Sequence, residues 1–214
     1  MIVKKLRIKV CGMKFKENIT SLISTNVDFM GIIFYSSSKR YINPNEGSHF
    51  IKSVKIKKVG VFVNESVENI IELSRIYDLD YIQLHGYGDI SLCSKLQNND
   101  LKVIRAFLIN SIDDFQDIYQ FKSCSDFFLF DYKSGTYGGS GKSFDWSYLK
   151  DLSINHPYFL SGGISFSDIK KINFLRDNNK HLFGVDINSC FEERTGLKNI
   201  KLVSQFIKEI NYGL

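Results

Sequence analysis

The stretch SDFFLFDYKSGTYGGSGKSFDW, Ser125 to Trp146, decides how the chain is read. An apolar run, Phe127 to Phe130, ends on a carboxylate, Asp131, and gives way to a glycine-dense loop. A short apolar run bounded by turn residues is the signature of a strand buried on both faces. An acid at the tip of such a strand, followed by glycines, is one way to build a catalytic rim. Read structurally, the same stretch is a strand that reaches solvent and a long surface loop. The rest of the chain decides between them.

Similar runs recur on both sides of it: LRIKV before Cys11, DFMGIIF before Tyr35, KKVGVFV before Asn64, DYIQLH ending at His85, LKVIRAFLI before Asn110, PYFLS before Gly162 and HLFGVD ending at Asp186. Between them lie stretches of helical spacing. In ESVENIIELSRIY, Val67, Ile70, Ile71, Ser74 and Tyr77 share one face, with Ser66 as N-cap and Asn69 as its partner. Asn110 to Phe121 and Leu197 to Ile210 also read as helices, whereas Glu17 to Ser24 and Asn45 to Val54 are weaker. Strand–helix alternation at about 27 residues per unit predicts a (β/α)8 TIM barrel, a single α/β domain over residues 1–214. An open doubly wound sheet would need a glycine-rich first turn, and here that turn is Cys11-Gly12-Met13.

Composition narrows the function without naming it. The 214 residues carry 28 basic and 23 acidic side chains, a net charge of +5 spread along the chain. That is too diffuse for a nucleic-acid partner and suits an anionic small molecule. Cys11, Cys93, Cys124 and Cys190 form no C-x-x-C pair and have no histidine at ligand spacing, so neither a metal site nor a disulfide framework is expected. No run approaches the roughly 20 apolar residues of a membrane span, and the N-terminus lacks the apolar centre of a signal peptide; the cytoplasm is the expected compartment.

In a barrel, the active site gathers where strands end and helices begin. The predicted ends bring together Cys11, Ser36 to Arg40, Asn64, His85, Asp131, Gly162-Gly163 and Asp186. Cys11 is either a small buried hydrophobe or a thiolate base, and the second needs a nearby cation. Side-chain alternation supplies one: if Cys11 faces inward, so do Lys9 and Arg7, while Ile8 and Val10 face the helices. Gln83 follows His85 inward by the same parity, and His85 is either a group titrating near neutrality or a structural hydrogen-bonding one. Arg40 at the rim would be a bidentate clamp for a carboxylate. Trp146 reads as a packing residue.

GTYGGSGKS misses the nucleotide-binding G-x-x-x-x-G-K-[ST] register by one residue, because Thr136 stands where glycine is required. A backbone phosphate cradle fits the glycines better. Gly162-Gly163, followed by SFSDIKKI with Ser167 as N-cap, and the stretch DINSCFEERTG are further anion-binding candidates beside the last two strands. The alternative at the glycine pair is an ordinary tight turn.

Taken in order, KVCG, GIIFYSSSKRYI, VGVFVN, IQLHG, LFDYKSGTYGGSGKSFDW, LSGGI and FGVDINSCFEERTGLKN resemble the phosphoribosylanthranilate isomerase family over nearly the whole chain. The resemblance implies a (β/α)8 barrel of tryptophan biosynthesis that performs an Amadori rearrangement on a phosphorylated, carboxylate-bearing aminosugar, with no metal or organic cofactor. It implies Cys11 as general base, Asp131 as general acid and Arg40 as the holder of the anthranilate carboxylate. His85 and Asp186 would lie near the substrate. Gly138, Gly139, Ser140, Gly141, Gly162, Gly163, Asn188 and Ser189 would lie on the phosphate side.

Two departures stand out: Lys39 where the family often has proline, and Asn188-Ser189-Cys190 where it usually has serine, serine and glycine. The histidine-pathway barrel isomerase, which performs the same rearrangement, carries aspartate where Cys11 stands. A non-catalytic ligand-binding barrel would need neither Cys11 nor Asp131. A monomer is expected, with a homodimer left open.

Overall fold

The fold is described for residues 5–44, 47–86, 89–132, 143–151 and 154–213 of a computed structural model, without the side chains of Lys150 and Asp151. Strands β1 (Arg7–Val10), β2 (Phe29–Ile33), β3 (Lys57–Val63), β4 (Tyr81–His85), β5 (Val103–Ile109), β6 (Phe127–Tyr132), β7 (Tyr158–Leu160) and β8 (Leu182–Ile187) pair in chain order. β8 returns to β1, so the parallel barrel is closed. Around it run α1 (Lys16–Ile23), α2 (Ser48–Ser53), α3 (Val67–Tyr77), α4 (Ile90–Gln97), α5 (Tyr148–Asp151), α6 (Ile169–Asn178) and α7 (Ile200–Tyr212). A short antiparallel hairpin, β9 (Glu192–Arg194) and β10 (Leu197–Lys198), follows β8.

The strands read as apolar runs because they bury both faces. On β1, Ile8 and Val10 join the layer between barrel and helices, while Lys9 lies fully buried among the inward-facing groups. The floor of the interior is aromatic. Phe29 meets Tyr81 at 5.6 Å and Phe159 at 5.5 Å edge-on, and Phe127 lies 4.5 Å from Phe183. The edge-to-face pairs of Phe29 make favourable quadrupole contacts, while Phe127 and Phe183 pack tilted at 40°.

A repeated device fastens the opposite end from the mouth. Asp28, Asp80 and Asp126 each stand one residue before an even-numbered strand. Their carboxylates accept the backbone N–H of Ile8 (2.9 Å), Lys58 (2.7 Å) and Val103 (2.7 Å) on the preceding odd strand. The backbone N–H of each aspartate returns a bond to the carbonyl of that same residue, at 3.0, 2.9 and 2.8 Å. Each strand pair β1–β2, β3–β4 and β5–β6 is thereby clipped at its start.

The helix expected over Asn110 to Phe121 is replaced by two 3-10 segments, Ile112–Phe115 and Ile118–Ser123. Asp114 explains it: its carboxylate folds back onto the N–H groups of Asn110 (2.8 Å) and Ser111 (2.9 Å), competing with helical bonding. Ser66 caps α3 as expected, accepting from the N–H of Asn69 at 3.2 Å. The cap before α6 is Ser165 rather than Ser167. Asp168 accepts both the N–H and the hydroxyl of Ser165, closing a capping box. The last helix starts at Ile200 because Leu197 and Lys198 are drawn into the hairpin. Trp146 packs partly buried against the core.

Candidate active site

The mouth is assembled by register. Lys9 of β1 and Asp186 of β8 are paired neighbours in the sheet, both inward, with Nζ 3.0 Å from Oδ1. Cys11 continues β1 by one residue, its N–H donating to the Ile187 carbonyl at 2.9 Å. Alternation therefore carries the thiol inward above Lys9, as the parity of the sequence predicts. Gly31 of β2 leaves the room: a Cβ there would sit 2.8 Å from the Cys11 Sγ and 3.1 Å from the Lys9 Nζ. Arg7, by contrast, is half-exposed at the far end, paired with Asp28 at 2.6 Å.

Asp131 is the penultimate residue of β6, at the same mouth, its Oδ1 accepting the N–H of Tyr132 at 2.8 Å. Gly162 arches over it. With φ of +89° and a Cβ position 2.6 Å from the Tyr132 nitrogen, that residue has no space for a side chain. The two inward carboxylates are treated differently. Asp186 has the Lys9 ammonium and the Ser161 hydroxyl as partners. Asp131 has no cation paired with it among the described residues. Burial and then the Asp186 charge push Asp131 up to about 6, with the Tyr132 N–H and Lys9 opposing. Burial also raises Asp186, although Lys9 opposes it. Burial works to lower Lys9 too, but the Asp186 carboxylate and the Cys11 thiol outweigh it and keep the ammonium charged.

Cys11 combines the two readings that its sequence position left open, a buried thiol with a cation beside it. Burial pushes the thiol above its ordinary value; Lys9 and Lys198 pull it down and Asp186 pushes it up, and burial wins. The thiol therefore rests protonated beside the cation that favours its ionisation. His85 does not titrate near neutrality either. Burial, then the charges of Lys9 and Arg105, lower it to about 3, and its Nε2 lies 2.5 Å from the Gln83 Nε2. It is a neutral hydrogen-bonding group at the end of β4.

Arg40 reaches the rim with one edge already occupied. Its Nε and Nη2 donate to the two carboxylate oxygens of Glu192 at 2.8 and 2.7 Å. Lys198 donates to Glu192 at 2.6 Å and to the Asn188 Oδ1 at 2.6 Å. The Asn188 side-chain oxygen is thus turned to Lys198 instead of standing open on the phosphate side. The β7 and β8 loops do come together: the Cys190 thiol contacts the Gly163 carbonyl at 3.6 Å, which brings Gly162-Gly163 beside the 3-10 turn Ser189–Phe191. Gly138, Gly139, Ser140 and Gly141 lie outside the described residues.

Sequence reasoning passed over Glu192 and Lys198. The signal was the turn Thr195-Gly196 between charged residues, which folds as a hairpin and sets Lys198 opposite Glu192. It also passed over Arg105, whose guanidinium donates to the carbonyls of Leu84, Ala106 and Gly86 at 3.0, 3.0 and 2.9 Å and so fastens the end of β4.

Fold and mouth define a class first: a (β/α)8 barrel enzyme whose acid, thiol and ammonium sit at the strand C-terminal ends. The family described as N-(5'phosphoribosyl)anthranilate (PRA) isomerase matches residues 8–209. The N-(5'-phosphoribosyl)anthranilate isomerase of Parabacteroides distasonis is 39% identical over 206 residues, covering 95% of this chain and 92% of that protein. That of Phocaeicola vulgatus is 36% identical, covering 95% and 97%. A crystal structure of phosphoribosyl anthranilate isomerase from Thermotoga maritima superposes with a TM-score of 0.86 at 32% identity, over 98% of this chain and all of that one. The chain belongs to the N-(5'-phosphoribosyl)anthranilate isomerase family.

Proposed function

We propose that the barrel converts N-(5-phosphoribosyl)anthranilate to 1-(2-carboxyphenylamino)-1-deoxyribulose 5-phosphate, an Amadori rearrangement of tryptophan biosynthesis. A solved isomerase at 28% identity and a TM-score of 0.82 was crystallised with the reduced form of that product, which supports a substrate of this class here. Asp131 acts as general acid: it protonates the furanose ring oxygen, the C1–O bond breaks, and a cationic imine forms at C1. Cys11, ionised, then removes the proton from C2. The C–H electron pair neutralises the imine, and the enolamine tautomerises to the ketone. These are proton transfers and ask for no metal or organic cofactor.

The observation that carries the assignment is the unequal pair of carboxylates. Asp186 is spent on Lys9, whereas burial beside it raises Asp131 to about 6, so one of two similar acids keeps a protonated fraction to give near neutrality. Lys9 favours ionisation of the Cys11 thiol, and the cationic imine adds a second positive charge when the base is needed. Arg40 holds the anthranilate carboxylate, His85 stands beside the substrate, and the loops of Gly162-Gly163 and Ser189 take the phosphate. We favour a monomer with a homodimer as the alternative, a Thermotoga maritima relative being described as dimeric. As a biosynthetic enzyme it is assigned to the cytoplasm; among the described residues no helix is long and apolar enough to cross a membrane.

The test is a fluorescence assay of substrate loss on wild type, Cys11→Ser, Asp131→Asn and Arg40→Ala. Losing the base or the acid lowers kcat by roughly 100- to 10,000-fold, whereas Arg40→Ala mainly raises KM. Near-wild-type turnover by Cys11→Ser and Asp131→Asn would remove the assigned roles, and an inactive wild type would remove the function.

A further inference from the structure

Glu192 is the most heavily bonded carboxylate at the mouth, and the chemistry above gives it no task. Its side chain is 5% exposed and accepts from Arg40 through both oxygens, from Lys198 Nζ, and from the Gly196 N–H at 3.0 Å. Burial raises its pKa, but the two cations outweigh that and hold it below the usual range, so it is ionised. Arg40 and Lys198 against Glu192 leave one positive charge uncompensated within the cluster.

A guanidinium offers two edges to a carboxylate. Glu192 occupies the Nε–Nη2 edge of Arg40. The Nη1–Nη2 edge has no acceptor among the described residues. The stem of Arg40 crosses Gly12, where a Cβ would stand 2.5 Å from its Cδ, so the plane is held at both ends. Lys198 is fixed in turn: its backbone exchanges hydrogen bonds with the Asn18 side chain at 2.8 and 2.9 Å, and its ammonium also reaches Asn188.

We propose that Glu192 is a positioning residue that aims the outer edge of Arg40 at the substrate's aromatic carboxylate, with Lys198 anchoring Glu192 so that it cannot swing with the guanidinium. An unanchored arginine would have to be ordered by the substrate, at a cost in rotamer entropy. The negative charge behind the guanidinium also repels a carboxylate approaching from the Nε side, which sets the orientation of the ring. The inference rests on Arg40 being the carboxylate clamp.

The experiment compares the natural substrate with its aniline analogue, which lacks the carboxylate, on wild type, Glu192→Gln, Arg40→Ala and the double variant. Glu192→Gln is expected to raise KM for the natural substrate roughly tenfold with little change in kcat, and to leave KM for the analogue unchanged. In the Arg40→Ala background it adds nothing further. Should the single variant fail to fold with Lys198 left unpaired, Glu192→Gln/Lys198→Met removes both charges and is expected to show the same substrate dependence. An unchanged KM in the Glu192 variants beside a raised one in Arg40→Ala would overturn the positioning role alone. Equal losses with both substrates would overturn it in favour of a purely structural one. An unchanged KM in Arg40→Ala would overturn the clamp and this inference together.

Discussion

At the scale of single residues, the site runs its acid and base in an unusual order. Asp131 titrates at about 6, and Cys11 above the ordinary thiol value. The working form has neutral Asp131 and ionised Cys11, the reverse of the form that predominates between the two values. Below pH 6 the thiolate fraction grows with pH while the acid stays protonated. Between the two values the gain in thiolate cancels the loss of acid, and above the thiol value only the loss remains. The kcat/KM profile is therefore expected to rise to about pH 6, run flat, and fall only on the alkaline side. Lys9→Met removes the charge that opposes burial at Cys11, so it should lower the plateau and move the alkaline limb upward. A wild-type profile already falling at about pH 8 would contradict the assignment of that limb to a raised thiol.

Asp131 also has a cost in stability. Its folded value, about 6, lies above the ordinary 3.8. The penalty is therefore absent well below pH 3.8, grows as pH rises, and is complete above pH 6, where it reaches about 3 kcal/mol. Asp131→Asn, which keeps an acceptor for the Tyr132 N–H, should be more stable than wild type in urea at pH 7 and nearly equal to it at pH 4. It should be almost inactive at both.

At the scale of elements, the barrel separates its holding face from its working face. The aspartates before β2, β4 and β6 bind backbone at one end, and the chemistry lies at the other. Asp126→Ala strands the buried N–H of Val103 and should cost roughly 1–3 kcal/mol in urea denaturation, with kcat/KM within about twofold of wild type. A large loss of activity without a loss of stability would mean that the two faces are coupled. The strands were legible in the sequence because burial on both faces leaves apolar runs, and Lys9 was legible because alternation is a property of any strand. The segment after β5 was not. Its helical spacing was real, but Asp114 bonds the backbone locally and competes with the helix. Glu192 escaped because its partner Arg40 lies 152 residues away, a distance that no local pattern spans. The resting state of the Cys11 thiol was left open by the sequence because burial cannot be weighed against one neighbouring charge from spacing alone.

At the scale of the whole molecule, the ring is not uniform. β7 and β8 are joined differently from the clipped pairs: the Tyr158 N–H donates to the His181 carbonyl at 3.0 Å, and the ladder shifts register between Tyr158 and Phe159. Native-state hydrogen exchange should show β7–β8 amides exchanging before those of β3–β4 and β5–β6. Equal protection throughout would remove the distinction. The ring is sealed where the chain's ends meet: Asn211 of α7 accepts the N–H of Leu6 and donates to its carbonyl, at 2.9 and 3.2 Å. The Lys9–Asp186 contact lies across that same seam, joining residues 177 positions apart. During synthesis, Lys9 leaves the ribosome long before its counter-ion exists, and an ammonium cannot be buried dry without one. The first strand must stay hydrated until the eighth arrives, so a truncated chain can neither complete its interior nor release a half-built catalyst into the cell.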